Sequence, residues 1–336
     1  IGATMSEQMN RRAFTASALG AAFLPAAPAL GQSKQKVVIS WLPIMQTTAF
    51  YVALDRKLFD KAGIDVEAAR FEAPNQIIDS LVSGRADLGA PGAAAGITAL
   101  AQAKFPGTFK VFGLQGGSIK LNRINDGLIV DRASTIKTFA DLRGKSLGHL
   151  PGIQWRTISR HMVRLAGLDP DKDIRLVELA VGLQVAALIA GTVDATLSLE
   201  PVGSIAVALG QAKRAITNPC AAAIADPFYS GVSVLTTKFL GERPEIAAKV
   251  VEVLDEATRI ANAEFDTVRQ ILPKYTAVKV DQTGVVAQPY LRGFSDLDAT
   301  DIASYQALVD LFYSEHVLSA PMKVEDLMLK KTEVGL

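Results

Sequence analysis

The side chains able to do chemistry in this 336-residue chain are few, and their spacing is unlike that of a catalytic or metal centre. Its three histidines, His149, His161 and His316, are scattered, and Cys220 is the only cysteine. Metal and thiolate sites need several such ligands at short, regular spacing, so no metal and no cofactor is expected. The sequence contains no Gly-x-x-x-x-Gly-Lys phosphate loop, no His-Glu-x-x-His helix and no Gly-x-Ser-x-Gly elbow. What it does contain is hydrogen-bonding equipment in short runs: Thr47 and Thr48, Asn75 and Gln76, Gln154, and Glu200, with Arg156 as the one cation among them. No nucleophile stands beside a base, and Glu200, Asp126 and His149 are the only candidates for one.

These residues need elements to position them. Residues 37–40 form a β-branched run, hence a strand. Residues 49–62 repeat apolar side chains at helical spacing and end at Gly63, a natural C-cap. A strand at 64–68, a helix at 75–83 ending at Gly84, and a strand at 86–89 follow. The same order recurs from Lys145: strand 146–148, helix 157–166, strand 174–179, helix 184–190 and strand 193–197. The junctions echo in residue type, A-G-I-D at 62–65 against A-G-L-D at 166–169, and L-V-S-G-R-A-D at 81–87 against L-I-A-G-T-V-D at 188–194. Each unit therefore reads as β-α-β-α-β with right-handed crossovers and a parallel sheet. Strands at 127–130 and 231–236 bracket the second unit, as a double crossover between two lobes requires. Helices at 244–270, 298–315 and 324–331 belong to neither unit and are expected on the first lobe.

Ligands of open parallel sheets sit beyond the carboxyl ends of the strands. That rule selects the loops carrying the polar residues above. Trp41 and Trp155, the only tryptophans, fall in the matching first loops and are expected to touch the ligand. Gly92 closes the G-A-P-G run at 89–92, which reads either as a helix N-terminus able to hold an anion or as a tight strand–helix turn. Glu200 either receives an amine or hydroxyl or is structural.

Composition narrows the partners. The chain is 49% hydrophobic and 21% charged, with 35 basic and 34 acidic residues. That balance argues against disorder and against nucleic acid. Its one long apolar stretch, at 13–30, follows Arg11 and Arg12 and ends in Ala/Pro-rich sequence, which reads as an export signal of twin-arginine-like type over residues 1–31, cleaved near Gly31. Its removal takes away Arg11, Arg12 and Glu7 and leaves the charges balanced.

The runs W-L-P at 41–43, F-Y-V-A-L-D-R-K-L-F-D-K-A-G-I-D-V-E at 50–67, S-L-V-S-G-R-A-D-L-G at 80–89, T-F-A-D-L-R-G-K-S-L-G at 138–148 and A-A-L-I-A-G-T-V-D-A at 186–195 resemble the ABC-importer solute-binding proteins of the nitrate/sulfonate/taurine and thiamine-pyrimidine-precursor binding family. The resemblance implies a type II periplasmic-binding-protein fold: two α/β lobes, each a mostly parallel sheet flanked by helices, joined by a double hinge crossover. It places lobe 1 at 32–126 plus 236–336 and lobe 2 at 127–235. It implies a periplasmic, monomeric, non-enzymatic receptor for a small organic anion, working with an ABC permease and its ATPase. The chain departs from the pyrimidine-precursor pattern where Ile44 replaces an Asn and Thr47 a His. It departs from the sulfonate pattern at Leu199-Glu200-Pro201. Arg156 is then the expected anion partner, since its planar donors suit carboxylate or sulfonate. The alternatives are a pyrimidine-precursor receptor or an enzyme on the same scaffold.

Overall fold

Short apolar and β-branched runs separated by glycine-ended helices build two sheets in a computed structural model that describes residues 34–335. The expected export signal at 1–31 lies outside the described residues. The strands are β1 (Gln35–Trp41), β2 (Ile64–Arg70), β3 (Leu88–Ala94), β4 (Phe109–Gly117), β5 (Asp126–Asp131), β6 (Lys145–His149), β7 (Ile174–Glu178), β8 (Ala195–Leu199), β9 (Ala212–Thr217), β10 (Phe228–Thr236) and β11 (Tyr290–Arg292). One sheet has the order β11-β4-β10-β3-β1-β2 and the other β7-β6-β8-β5-β9. The helices are α1 (Thr48–Asp55), α2 (Leu58–Lys61), α3 (Pro74–Val82), α4 (Ala95–Lys104), α5 (Ile153–Leu165), α6 (Gln184–Ile189), α7 (Val202–Ala208), α8 (Pro219–Ala223), α9 (Thr237–Glu242), α10 (Pro244–Ala263), α11 (Phe265–Val268) and α12 (Ala299–Ser314). None of the described helices is long and apolar enough to cross a membrane.

The two echoing units have the same geometry. β2-β1-β3 and β7-β6-β8 are both parallel and in the same order. Each repeat places its two junction glycines in the left-handed region, Gly63 and Gly167 at φ +75°, Gly84 at +71° and Gly191 at +69°. Nothing crowds these four positions, so it is the backbone conformation that demands glycine. The echoed aspartates also do one job. The Asp87 carboxylate accepts from the Val38 N–H at 2.9 Å, and the Asp194 carboxylate from the Ser146 N–H at 2.8 Å. Each ties the turn after its second helix to the first strand of its unit.

Several expectations are corrected. Beyond the parallel trios, β10 pairs antiparallel with β3 and β4, and β5 with β8 and β9. β10 lies wholly in the first sheet, so the chain is back there by Phe228 rather than at 236. The single helix expected at 49–62 is broken into α1 and α2 at Lys57, which sits at φ +55°. The strand expected at 86–89 continues as β3 to Ala94. Pro91 is tolerated inside it because the β3–β10 register shifts between Val232 and Val234, where no ladder N–H is needed. The helix expected at 324–331 is one 3-10 turn, Val324–Asp326.

Apolar packing follows these layers. α1 and α10 cover one face of the first sheet through Phe50, Val52, Val250 and Leu254. The other face joins a cluster that continues into the second sheet through Leu128, Leu147 and Leu197. The apolar core thus runs from one sheet to the other, with the connections β4–β5 and β9–β10 beside it.

Candidate functional site

The carboxyl ends of β1 and β3 and the start of α4 meet the start of α5 and the two connections. The side chains gathered there are polar and buried, amides and hydroxyls together with the Asp126 carboxyl. Gln46, just before α1, donates from Nε2 to Asn125 Oδ1 at 2.6 Å and to Ser230 Oγ at 2.8 Å. Asn125 donates onward to Asp126 Oδ2 at 2.9 Å, and the Cys220 N–H donates to Asp126 Oδ1 at 3.1 Å. Gln154, in the first turn of α5, accepts from the Gly96 N–H of α4 at 2.6 Å and donates to the Ser230 carbonyl at 2.9 Å. Gln115 on β4 accepts from the Gly92 N–H and donates to Ser233 Oγ, both at 3.0 Å. These groups satisfy one another, as buried polar groups must. Close approach is built in: a Cβ on Gly231 would lie 2.4 Å from Gln46 Oε1 and 2.9 Å from the Gly92 backbone.

Burial shifts each of the titratable groups nearby. Burial pushes the Asp126 carboxyl up, against the pull of the Asn125 and Cys220 donors. Burial and then the Asp126 charge push the Cys220 thiol well up, so it is a poor thiolate. Burial holds the His149 imidazole below its usual value, opposed by its contact with the Leu150 carbonyl. Among the described residues no group of three or more His, Cys, Asp or Glu side chains is arranged to hold a metal ion.

The residues expected at the site divide into three groups. Gln154 reaches the junction, and Asn75, exposed at the start of α3, faces Gly152, where a Cβ would come 3.8 Å from Asn75 Oδ1. Thr47 and Thr48 are adjacent but turned to their own backbone, donating to the Leu42 and Met45 carbonyls. The others are engaged elsewhere. Gln76 caps its own helix by accepting from the Ala73 N–H at 3.0 Å. Gly92 lies inside β3 at φ +95°, not at a helix end, and its N–H is taken by Gln115, so it presents no anion site. Trp155 is 1% exposed in the apolar core, and Trp41 is buried edge-on to Tyr51, centroids 5.6 Å apart. Both rings are buried among apolar side chains. Arg156 is exposed and paired with Glu178 on β7 at 2.6 Å. Glu200 is 2% exposed and accepts from Arg214 at 2.6 Å and from the Ser204 N–H at 3.1 Å. Asn125, Ser230 and Gln115 were missed because they lie on or beside the antiparallel strands, which the parallel-strand rule ignores. Polar residues inside the apolar runs F-G-L-Q-G-G and F-Y-S-G-V-S-V were the available signal.

Comparison with known proteins fits this architecture. The family model described as NMT1/THI5 like matches residues 44–265. No curated protein matches the chain. Among solved structures, the alkanesulfonate-binding protein SsuA from Xanthomonas axonopodis pv. citri bound to MOPS is 19% identical, with a TM-score of 0.71 over 89% of this chain and 99% of that one. The periplasmic nitrate-binding protein NrtA from Synechocystis PCC 6803 is 14% identical, with a TM-score of 0.70 over 89% of this chain and 87% of that one. The desulfurization enzyme DszB is 16% identical, with a TM-score of 0.65 over 90% of this chain and 98% of that one. The fold is that of the type II periplasmic binding proteins, as the sequence led one to expect.

Proposed function

The chain belongs to the NMT1/THI5-like family, and from that premise we propose that it is the periplasmic solute-binding component of an ABC importer, capturing a small organic anion between its two lobes. The lobes comprise the first sheet with its helices and the second with its own. The observation that carries the reading is the junction itself: Gln46, Asn125, Ser230 and Gln154 are neutral hydrogen-bonding groups brought together from both sides of two chain crossings. Such groups hold a solute. The ligand class is a sulfonate, nitrate or a carboxylate, supported by the sulfonate- and nitrate-binding names of structural neighbours. With Arg156 held by Glu178, the anion is bound by neutral donors of the junction such as Gln46, which exchange their partners within the protein for the solute. The receptor acts as a monomer and hands its ligand to a membrane permease driven by an ATPase.

DszB favours a second reading, an enzyme on the same scaffold. Against it stands the state of Cys220, the only cysteine, wholly buried and with its thiol pushed up. A thermal-shift screen over sulfonates, nitrate, carboxylates and aminopyrimidines tests the proposal. A ligand at about 100 times its Kd stabilises by roughly 2.7 kcal/mol. An acidic hit is expected, while aminopyrimidines alone shifting the melt would move the chain to the pyrimidine-precursor receptors.

A further inference from the structure

Helix α5 of the second sheet's half lies against α4 of the first and reaches the C-terminal cap of α12, and it is fastened at both ends. At its first turn the Gln154 carboxamide, 1% exposed, accepts from the Gly96 N–H at 2.6 Å and donates to the Ser230 carbonyl at 2.9 Å. Both partners belong to elements of the first sheet's half, so a single neutral side chain ties α5 to α4 and β10 together. At the far end, His161 and Arg164 meet Glu315, the residue that caps α12, with His161 Nδ1 at 3.2 Å from Glu315 Oε1. Gln154, His161 and Arg164 recur at intervals of seven and three residues, which puts them along one face of the helix, about 15 Å from first to last. Gly96 is seated from the other side as well, since any Cβ there would lie 2.4 Å from the Phe312 ring of α12.

The electrostatics give Gln154 its purpose. The starts of α4 and α5 converge: a Cβ on Gly152 would lie 3.6 Å from Ile97 Cδ1. Two helix N-termini carry partial positive charge of about half a unit each and repel when brought together. The Gln154 amide oxygen, set on one and accepting from the other, offsets that repulsion. Its amide nitrogen meanwhile donates to the Ser230 carbonyl on β10.

We propose that α5 is a two-point clasp that holds the two halves of the molecule shut through the protein's own side chains, Gln154 at the inner point and Glu315 with Arg164 and His161 at the outer. Closure is then partly encoded in the chain, and the ligand adds to it rather than supplying it all. This bears on the regulation of the cleft proposed above and rests on that reading only for its consequence, because the contacts themselves need no ligand.

The test uses the purified chain without added solute. Gln154→Met keeps the side-chain volume and removes both inner hydrogen bonds, and Glu315→Ala removes the outer contact. In the double variant the radius of gyration from small-angle X-ray scattering should rise, and the Gly96 amide should exchange about tenfold faster. Each single variant keeps one fastener and should open less than the double. A double variant with unchanged scattering and unchanged Gly96 exchange overturns the clasp. So does a lowered melting temperature with both of those readouts unmoved, since that is a purely structural role. Neither result touches the receptor reading, which fails instead if no solute binds the wild-type chain.

Discussion

At the scale of single residues, the cations and acids of the cleft region are defined by their partners. Glu200 is buried against Arg214 at 2.6 Å. Arg214→Ala leaves that carboxylate without its counter-charge, and such a loss costs about 3–5 kcal/mol. Urea unfolding of the variant should show it, and Arg156→Ala, which cuts only an exposed pair, should cost less than about 1 kcal/mol. The same Arg156 variant should keep its affinity for any acidic ligand found. pH acts through the histidines. Burial lowers the proton affinity of His149, and burial followed by the Arg164 charge lowers that of His161. The folded chain therefore binds these protons less tightly than the unfolded chain, and stability must fall as pH drops below the ordinary value of 6.5. Melting temperatures between pH 7.5 and 5 should decline, and His149→Gln should flatten the decline. A steeper decline in the variant contradicts the assignment.

At the scale of elements, the two parallel units are held by one device used twice. Asp87 and Asp194 each bind the backbone of their unit's first strand. Asp194→Ala and Asp87→Ala should each cost roughly 1–3 kcal/mol, read from denaturant midpoints. Asp87 also pairs with Arg243, so its loss should be the larger. Gly191→Ala forces a side chain into the left-handed region and should cost about 1–2 kcal/mol with no contact disturbed. Much of this was legible beforehand, because β-branched runs, helical spacing and glycine caps are local signals. The site was less so. Whether Arg156 is free depends on Glu178, 22 positions away on another strand, and whether Trp155 lines a mouth or a core depends on what packs over it. Gln154 was found for its polarity and place, but the partners that define its work lie on α4 and β10. Lys57 shows the converse: its left-handed backbone broke a helix that the apolar spacing alone would have continued.

At the scale of the whole molecule, the chain passes between its two sheets twice and buries a polar junction where it does so. A balanced net charge means that ligand choice is made by local donors rather than by a long-range field. The measurement that reaches the central claim most directly is a calorimetric titration of the wild-type chain with the best hit of the solute screen, followed by chemical recovery of that solute. The account predicts one-to-one binding and return of the solute unaltered. Recovery of a converted product, or no binding by any sulfonate, nitrate, carboxylate or aminopyrimidine, contradicts it.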